Sequence, residues 1–262
     1  MLEQLSALPL VVAGLLGSLI AGFGTVLGAL PIFLRARWSE TAQVLMLAVA
    51  AGVMLGATVF SLLVPALELV EQRSGSEIEA ALVASGGIAL GALAIWAIHS
   101  WVPHEHFTKG HEGAPAQLGK KWLFVLAITL HNFPEGMSVG VAYGGDAAQG
   151  AAVTLGIGLQ NLPEGLAVAA ALIGDGFSRG RAFWIAALTG FVEPVGGLVG
   201  ALAVSLSDTL LPWGFSFAAG AMLFVISGEI IPETHREGIE QPATFALVFG
   251  FIVMMLLDVT LG

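Results

Sequence analysis

Eight apolar stretches, at about residues 8–34, 41–67, 81–102, 122–143, 149–173, 182–206, 210–231 and 242–261, take up most of this chain of 262 residues. Each is long enough to cross the hydrocarbon core of a bilayer, for which about 20 helical residues suffice. Inside lipid a backbone has to satisfy its own N–H and C=O groups, so stretches of this length are expected to be helices. What remains between them is too short for a soluble domain. The chain is therefore read as an all-α integral membrane protein, with residues 1–262 forming a single transmembrane domain. Charged residues make up only 11% of it, against about 25% in soluble domains. The first stretch is not expected to be a cleaved leader, because it is preceded by Glu3 and by no Lys or Arg. The chain has no cysteine, which rules out disulfides and thiolate metal sites. A formal charge of −10 argues against nucleic acid as a partner.

The basic residues orient the spans. Arg35, Arg37, Lys109, Lys120, Lys121, Arg179, Arg181 and Arg236 fall on one side, and of the nine Lys and Arg only Arg73 falls on the other. The positive-inside rule then places both termini outside the cytoplasm, with the bacterial inner (plasma) membrane as the expected location. The outer loops hold Glu71, Glu77, Glu79, Asp146 and Asp208, either a solvated surface or a weak funnel for cations.

Two internal repeats organise the spans. His131-Asn132-Phe133-Pro134-Glu135-Gly136 in span four recurs as Gln160-Asn161-Leu162-Pro163-Glu164-Gly165 in span five, at an offset of 29 residues. At an offset of 168, Ala50-Ala51-Gly52-Val53-Met54-Leu55 matches Ala218-Ala219-Gly220-Ala221-Met222-Leu223, and Phe23, Gly28 and Leu30 match Phe191, Gly196 and Leu198. The spans so paired run in opposite directions. The expected architecture is 3+2+3: repeat one at 8–102, a central helix pair at 122–173 and an inverted repeat two at 182–261. Inverted repeats around a midplane site are characteristic of transporters.

The chemistry is carried by polar groups inside the spans. On insertion scales an acidic residue at a helix centre costs roughly 3 kcal/mol, so Glu135, Glu164 and Glu193 together cost about 9 kcal/mol. None of the Lys or Arg falls inside a span to pair with them; a bound dication would neutralise them. His131, Gln160 and Glu193 each lie about ten residues into their spans, or about 15 Å deep, near the midplane. His131 and Glu135 share a helix face, as do Gln160 and Glu164. Imidazole, carboxylate and amide oxygen suit Zn2+ or another divalent metal (Fe2+, Mn2+, Co2+ or Cd2+), which the ligands alone do not distinguish. Pro134 and Pro163 free backbone carbonyls near Leu130 and Leu159. Met54 reads as packing. Glu229 reads as a gate, a proton site or an inner polar contact. His99, His104, His106, His111 and His235, with Glu112 and Glu233 nearby, fall at or beyond the cytoplasmic ends of spans three and seven, on a plausible exit path for metal. The chemistry calls for no organic cofactor. The expected partners are divalent cations and the bilayer, with a homodimer left open.

An intramembrane metalloenzyme is the main alternative from another class, but His-Glu-x-x-His is absent. A carrier of anions or organic solutes is a further alternative, and the absence of intramembrane Lys and Arg, with several Glu, argues against an anionic substrate. A metal-selective channel differs from a carrier in motion rather than in ligands, and the inverted repeats favour the carrier.

Together with Glu193-Pro194 and Ile231-Pro232-Glu233-Thr234-His235, the paired helix motifs resemble the ZIP family of zinc and iron transporters, in particular its prokaryotic GufA-like branch. The resemblance spans nearly the whole chain. It implies eight helices in a three-two-three arrangement, transport into the cytoplasm, and a shift of spans one, four, five and six against two, three, seven and eight. By position it implies a primary metal site of Met54, His131, Glu135, Gln160, Glu164 and Glu193, with Asn132 and Asn161 bordering a second site. The GufA-like pattern often carries aspartate where this chain has Asn161, a departure that weakens the second site.

The orientation has a direct test. Single cysteines at Ser76 and Ala148 should react with an impermeant thiol reagent in intact cells, and those at Gly110 and Ser178 should not. The reverse pattern would invert the topology.

Overall fold

A computed structural model of the chain describes residues 8–35, 38–106, 110–112, 120–174, 176–235 and 238–261, so Arg37, Lys109 and Arg236 lie outside the described residues. Among them run eight long helical segments: α1 Leu10–Phe33, α2 Thr41–Ser74, α3 Glu77–Trp101, α4 Lys120–Gly145, α5 Ala147–Gly174, α6 Arg179–Ser205, α7 Leu211–Thr234 and α8 Glu240–Thr260. Seven of the eight are long and apolar enough to cross a membrane, which makes the chain a multi-pass membrane protein. The exception is α4, whose 26 residues reach about 39 Å. Its apolar signal is diluted by His131, Asn132, Pro134 and Glu135. A two-stranded antiparallel pairing, β1 His104–His106 with β2 Gly110–Glu112, is the only strand structure among the described residues.

Helix starts follow their capping residues. Ser39, Ser76 and Ser178 each accept a hydrogen bond from a backbone N–H in the first turn, and Asp146 accepts one from Gln149 N at 2.8 Å. Several helices outrun the stretches read from sequence. α2 continues to Ser74, so Glu71 and Arg73 lie on its last turns rather than in a loop, and it stops where Gly75 adopts φ 69°. α7 extends through Glu233 to Thr234. α3 runs to Trp101 and carries His99 in its last turn, where it is buried. α6 is not one continuous helix. Its first part ends at Gly190, and a new helix begins at Glu193 with Pro194 in its first turn, which a proline tolerates because it has no N–H to leave unpaired there.

Two helices carry π-helical turns, a feature enriched at functional sites. In α2 the turn spans Ala57–Leu63 and in α7 it spans Ile226–Ile230. Each directly follows one copy of the repeated Ala-Ala-Gly segment, and each is followed by a proline, Pro65 or Pro232.

Glycines decide which helices touch. A Cβ at Gly28 of α1 would strike the Leu162 carbonyl of α5, and one at Gly196 of α6 would strike the Phe133 carbonyl of α4. Likewise Gly165 packs on the Thr25 carbonyl and Gly136 on that of Glu193. These contacts correspond across both repeats: Gly28 with Gly196 and Thr25 with Glu193 at 168 residues, Leu162 with Phe133 and Gly165 with Gly136 at 29. The same backbone-to-backbone packing joins α2 to α8 at Gly52 and α3 to α7 at Gly91. The densest pairings fall within two sets, α1 with α4, α5 and α6, and α2 with α3, α7 and α8, while α2 also packs broadly on α5 across the boundary. Where the sets meet, glycines face side-chain tips instead. A Cβ at Gly144 would come 2.8 Å from Leu211 Cδ1, and one at Gly156 would come 2.9 Å from Met254 Cε. On the basic side, Arg179 Nη1 of α6 donates to Phe33 O at 2.9 Å, capping the carbonyl end of α1.

Gly28→Val should therefore lower stability by about 1–3 kcal/mol or more, the usual cost of overpacking. Gly174→Val, at a position where an added Cβ would meet nothing within 4 Å, should be nearly silent. Thermal unfolding of the two purified variants would show the difference, and equal effects would refute the packing argument.

Candidate metal centre

The polar groups of the central helices converge on a buried region that also draws in α3, α6 and α7. His131, Asn132 and Glu135 come from α4, Gln160, Asn161 and Glu164 from α5, Glu193 from the restart of α6, Met54 from α2, His99 from α3, and Glu229 and Glu233 from α7; all are buried. Helical periodicity puts His131 above Glu135 and Gln160 above Glu164, because residues four apart share a face. Both helices continue through Pro134 and Pro163 without a break.

The donors form two neighbouring groups. In the first, Glu229 bridges two histidines: His99 Nδ1 lies 2.8 Å from its Oε1, and His131 Nε2 is paired with its Oε2. Donor atoms of His99, His131 and Glu229 all lie within 4.8 Å of one another, a spacing that a small contraction around one cation would close. The two imidazoles stack at 6.2 Å between centroids, with Phe224 edge-on to His99 at 5.7 Å. Glu164 and Glu233 lie within electrostatic reach of His131. Two imidazoles and a carboxylate form a donor set suited to zinc, with room for one more ligand. A cavity of about 60 Å³ adjoins this group, lined by His131, Glu164, Glu229 and Glu233 with apolar walls that include Leu47 and Val168. That is several times the roughly 10–15 Å³ needed to hold a water. The cavity extends along the halves of α2, α4, α5 and α7 that end on the side of the basic residues.

The second group lies one helical turn further toward the opposite side. Glu135 is within electrostatic reach of Glu164 and Glu193 and lies beside Gln160. Both oxygens of Glu135, and the amide atoms of Gln160 and Asn132, are buried without a hydrogen bond of normal geometry among the described residues. Buried polar atoms are nearly always paired. A knot of carboxylate and amide oxygens left like this is the arrangement a dication would complete. Asn161 differs from its neighbours: its Nδ2 donates to Ala21 O at 2.8 Å and to Glu193 Oε1 at 2.7 Å. Met54 is fully buried, and its carbonyl accepts from Thr58 Oγ1 at 2.8 Å.

Of the residues placed on an exit path, His99 and Glu229 thus join His131 directly. Glu233 lines the cavity. His235 sits at the end of α7, with Nε2 3.2 Å from Thr244 Oγ1 of α8. His104, His106, His111 and Glu112 belong to the strand pair, and their side chains lie outside the described residues. Sequence reasoning passed over Asp258, which accepts a hydrogen bond from buried Ser61 and lines a cavity of about 410 Å³ with Glu68 and Asp146 at the opposite ends of the helices. The signal that could have found it, a lone carboxylate in an apolar run, is the one that marked Glu135.

A family model described as ZIP Zinc transporter matches residues 102–258, more than half of the chain. The chain belongs to the ZIP family. It is 51% identical over 255 residues to the zinc transporter GufA of Myxococcus xanthus, covering 95% of this chain and 99% of that one. It is 45% identical over 246 residues to the zinc transporter ZIPB of Bordetella bronchiseptica, covering 92% and 79%. With the zinc transporter ZIP11 of Homo sapiens it shares 47% over 155 residues, covering 55% and 45%. Membership of the ZIP family sets the chain among transporters rather than enzymes.

The three-residue cluster has its own test. His99→Ala removes one of three donors and leaves Glu229 on His131, so zinc affinity measured by calorimetry should fall about 10–100-fold. Unchanged affinity would take His99 out of the centre.

Proposed function

We propose that the chain carries divalent transition metals, zinc foremost, across the inner membrane into the cytoplasm by alternating access. The observation that carries this reading is the bridge of His99 and His131 by Glu229, set against a second knot of buried carboxylates and amides with no lysine or arginine among them. The zinc-transporter names of its relatives agree with it.

In this reading the metal is the cargo, and the two donor groups are successive stations. Glu135, Gln160, Glu164 and Glu193, with the Met54 thioether beside them, take the ion at the midplane. His131 stands between the groups and can belong to either, so an ion can pass from one to the other without losing all its protein ligands. Glu229 and His99 receive it, and Glu164 and Glu233 line the way toward the basic side. Imidazole binds metal only when neutral, and protons compete for carboxylates as well, so uptake should weaken as the external medium is acidified.

Eight crossings in a 3+2+3 arrangement, with both termini outside the cytoplasm, fit the correspondence of glycine contacts across the repeats and the paired π turns. The division into two tight sets, meeting through side-chain tips, supports a carrier in which one set slides against the other. The cavity that touches His131 and Glu229 lies toward the basic side, which supports reading this as an inward-facing state.

Reconstitution into liposomes tests the whole proposal. The protein should support saturable uptake of radiolabelled zinc, and His131→Ala, Glu135→Ala and Glu164→Ala should each reduce it to background while still inserting. Wild-type rates in all three variants, or passive flux without saturation, would refute the carrier reading.

A further inference from the structure

Asn161 stands where a carboxylate would most simply enlarge the metal site, yet its side chain is occupied with something else. Its Nδ2 faces the Ala21 carbonyl of α1 at 2.8 Å and Glu193 Oε1 of α6 at 2.7 Å. A carbonyl and a carboxylate only accept, so the group facing them must be the amide nitrogen, and its two N–H bonds serve the two acceptors. The slot admits little else. A Cβ at Gly24 would come 3.0 Å from Asn161 Cβ, and one at Gly22 would come 3.4 Å from Glu193 Oε1. The remaining oxygens, Asn161 Oδ1 and Glu193 Oε2, are buried without a hydrogen-bond partner among the described residues.

We propose that the Asn161 amide stands in for a second cation, tying the Glu193 carboxylate to the backbone of α1 with two N–H donors where a two-metal centre would use a positive charge. The inference rests on the metal-site reading above and deepens it. The amide holds one oxygen of Glu193 and leaves the other for the transported ion, so Asn161 acts as a positioning residue. It also joins α5 to both α1 and α6, keeping that set of helices assembled when no metal is bound. A carboxylate at the same position would present acceptors to acceptors, with Ala21 O, Glu193 Oε1 and the new oxygens sharing no donor. Only a shared proton or a cation would hold that arrangement together, and a cation answers both carboxylates at once. One residue therefore sets whether the slot needs a second metal.

The test uses the full chain in detergent or nanodiscs, stripped of metal by a chelator and then titrated with zinc. Unfolding temperature and zinc bound per chain, the latter by mass spectrometry, are followed together. The wild type should bind one zinc tightly and unfold at a temperature that depends only modestly on it. Asn161→Asp should unfold about 5–10 °C lower without metal, the scale expected for losing two buried hydrogen bonds in a chain of this size. Zinc should restore it, with a second ion bound. Asn161→Ala removes the donors without adding charge, so it should show the same loss with no recovery and no second ion. Glu193→Gln keeps an oxygen that accepts from Asn161 and should unfold near the wild-type temperature without metal. Two equally tight zinc ions in the wild type would overturn the proposal. So would Asn161→Asp or Asn161→Ala unfolding at the wild-type temperature, or zinc restoring Asn161→Ala as well as Asn161→Asp. If the wild type binds one zinc and Asn161→Asp is unshifted, the stand-in alone fails. If no variant and no wild type binds zinc, the metal reading fails and the stand-in with it.

Discussion

A carboxylate inside hydrocarbon needs a positive charge or a set of donors, and this protein buries Glu135, Glu164, Glu193, Glu229 and Glu233 on helices whose interiors carry no lysine or arginine. Much of the interior can be understood as answers to that constraint. Glu229 is held between two imidazoles. Glu193 sits in the first turn of a restarted helix, where the backbone N–H groups point toward it and favour negative charge, and one of its oxygens accepts from Asn161. Glu135 has only the Gln160 side chain beside it, with no imidazole and no hydrogen bond of normal geometry among the described residues. The carboxylate with the least protein support is thus the one whose occupancy by a cation matters most.

Bringing these groups together requires helices to approach more closely than ordinary side chains permit. Glycine follows each motif carboxylate, at Gly136 after Glu135 and at Gly165 after Glu164. The first lets α4 rest on the backbone of Glu193, and the second lets α5 rest on that of Thr25. Thr25 is the repeat counterpart of Glu193, so the two halves keep the same crossing but arm it differently, one with a carboxylate and the other with a hydroxyl. Around a centre of this shape a perfectly symmetric protein would place acid on both sides. Here the negative charge is concentrated on α6, and α1 contributes mainly its backbone.

Much of this was legible in the sequence, for definite reasons. The spans could be read because lipid imposes a length and an apolar composition, and the motif helices because a repeated His/Gln-Asn-x-Pro-Glu-Gly is hard to produce by chance. Rise per residue is nearly invariant in helices, so depth brought His131, Gln160 and Glu193 to one region, although His131 pairs with Glu229 one turn away from the other two. Three features were hidden. The break in α6 is marked only by Gly190 and Glu193-Pro194 inside an apolar run long enough to read as one span, with Phe191 and Val192 apolar between them. The π turns in α2 and α7 differ from α-helix by a shift of hydrogen-bond partner, which composition does not record. The bridge between His99, His131 and Glu229 brings α7 onto α3 and α4 from 98 residues beyond His131, and His99 lies so near the end of its apolar run that it reads as a boundary residue. Hydropathy even undervalued α4, because His131, Asn132 and Glu135 are polar.

The two kinds of seam between helices also bear on how such a protein can diverge. Where Gly52, Gly91, Gly136 and Gly196 press backbone on backbone, any side chain at all is an intrusion, and there is no compensating change a neighbour could make, because a carbonyl cannot be mutated. Where Leu211 and Met254 meet Gly144 and Gly156, a larger residue on one side can be matched by a smaller one on the other. Neutral drift should therefore accumulate along the boundary between the two sets of helices and be almost absent within each. The boundary surface can be retuned over generations, while the bodies on either side of it are inherited nearly unchanged.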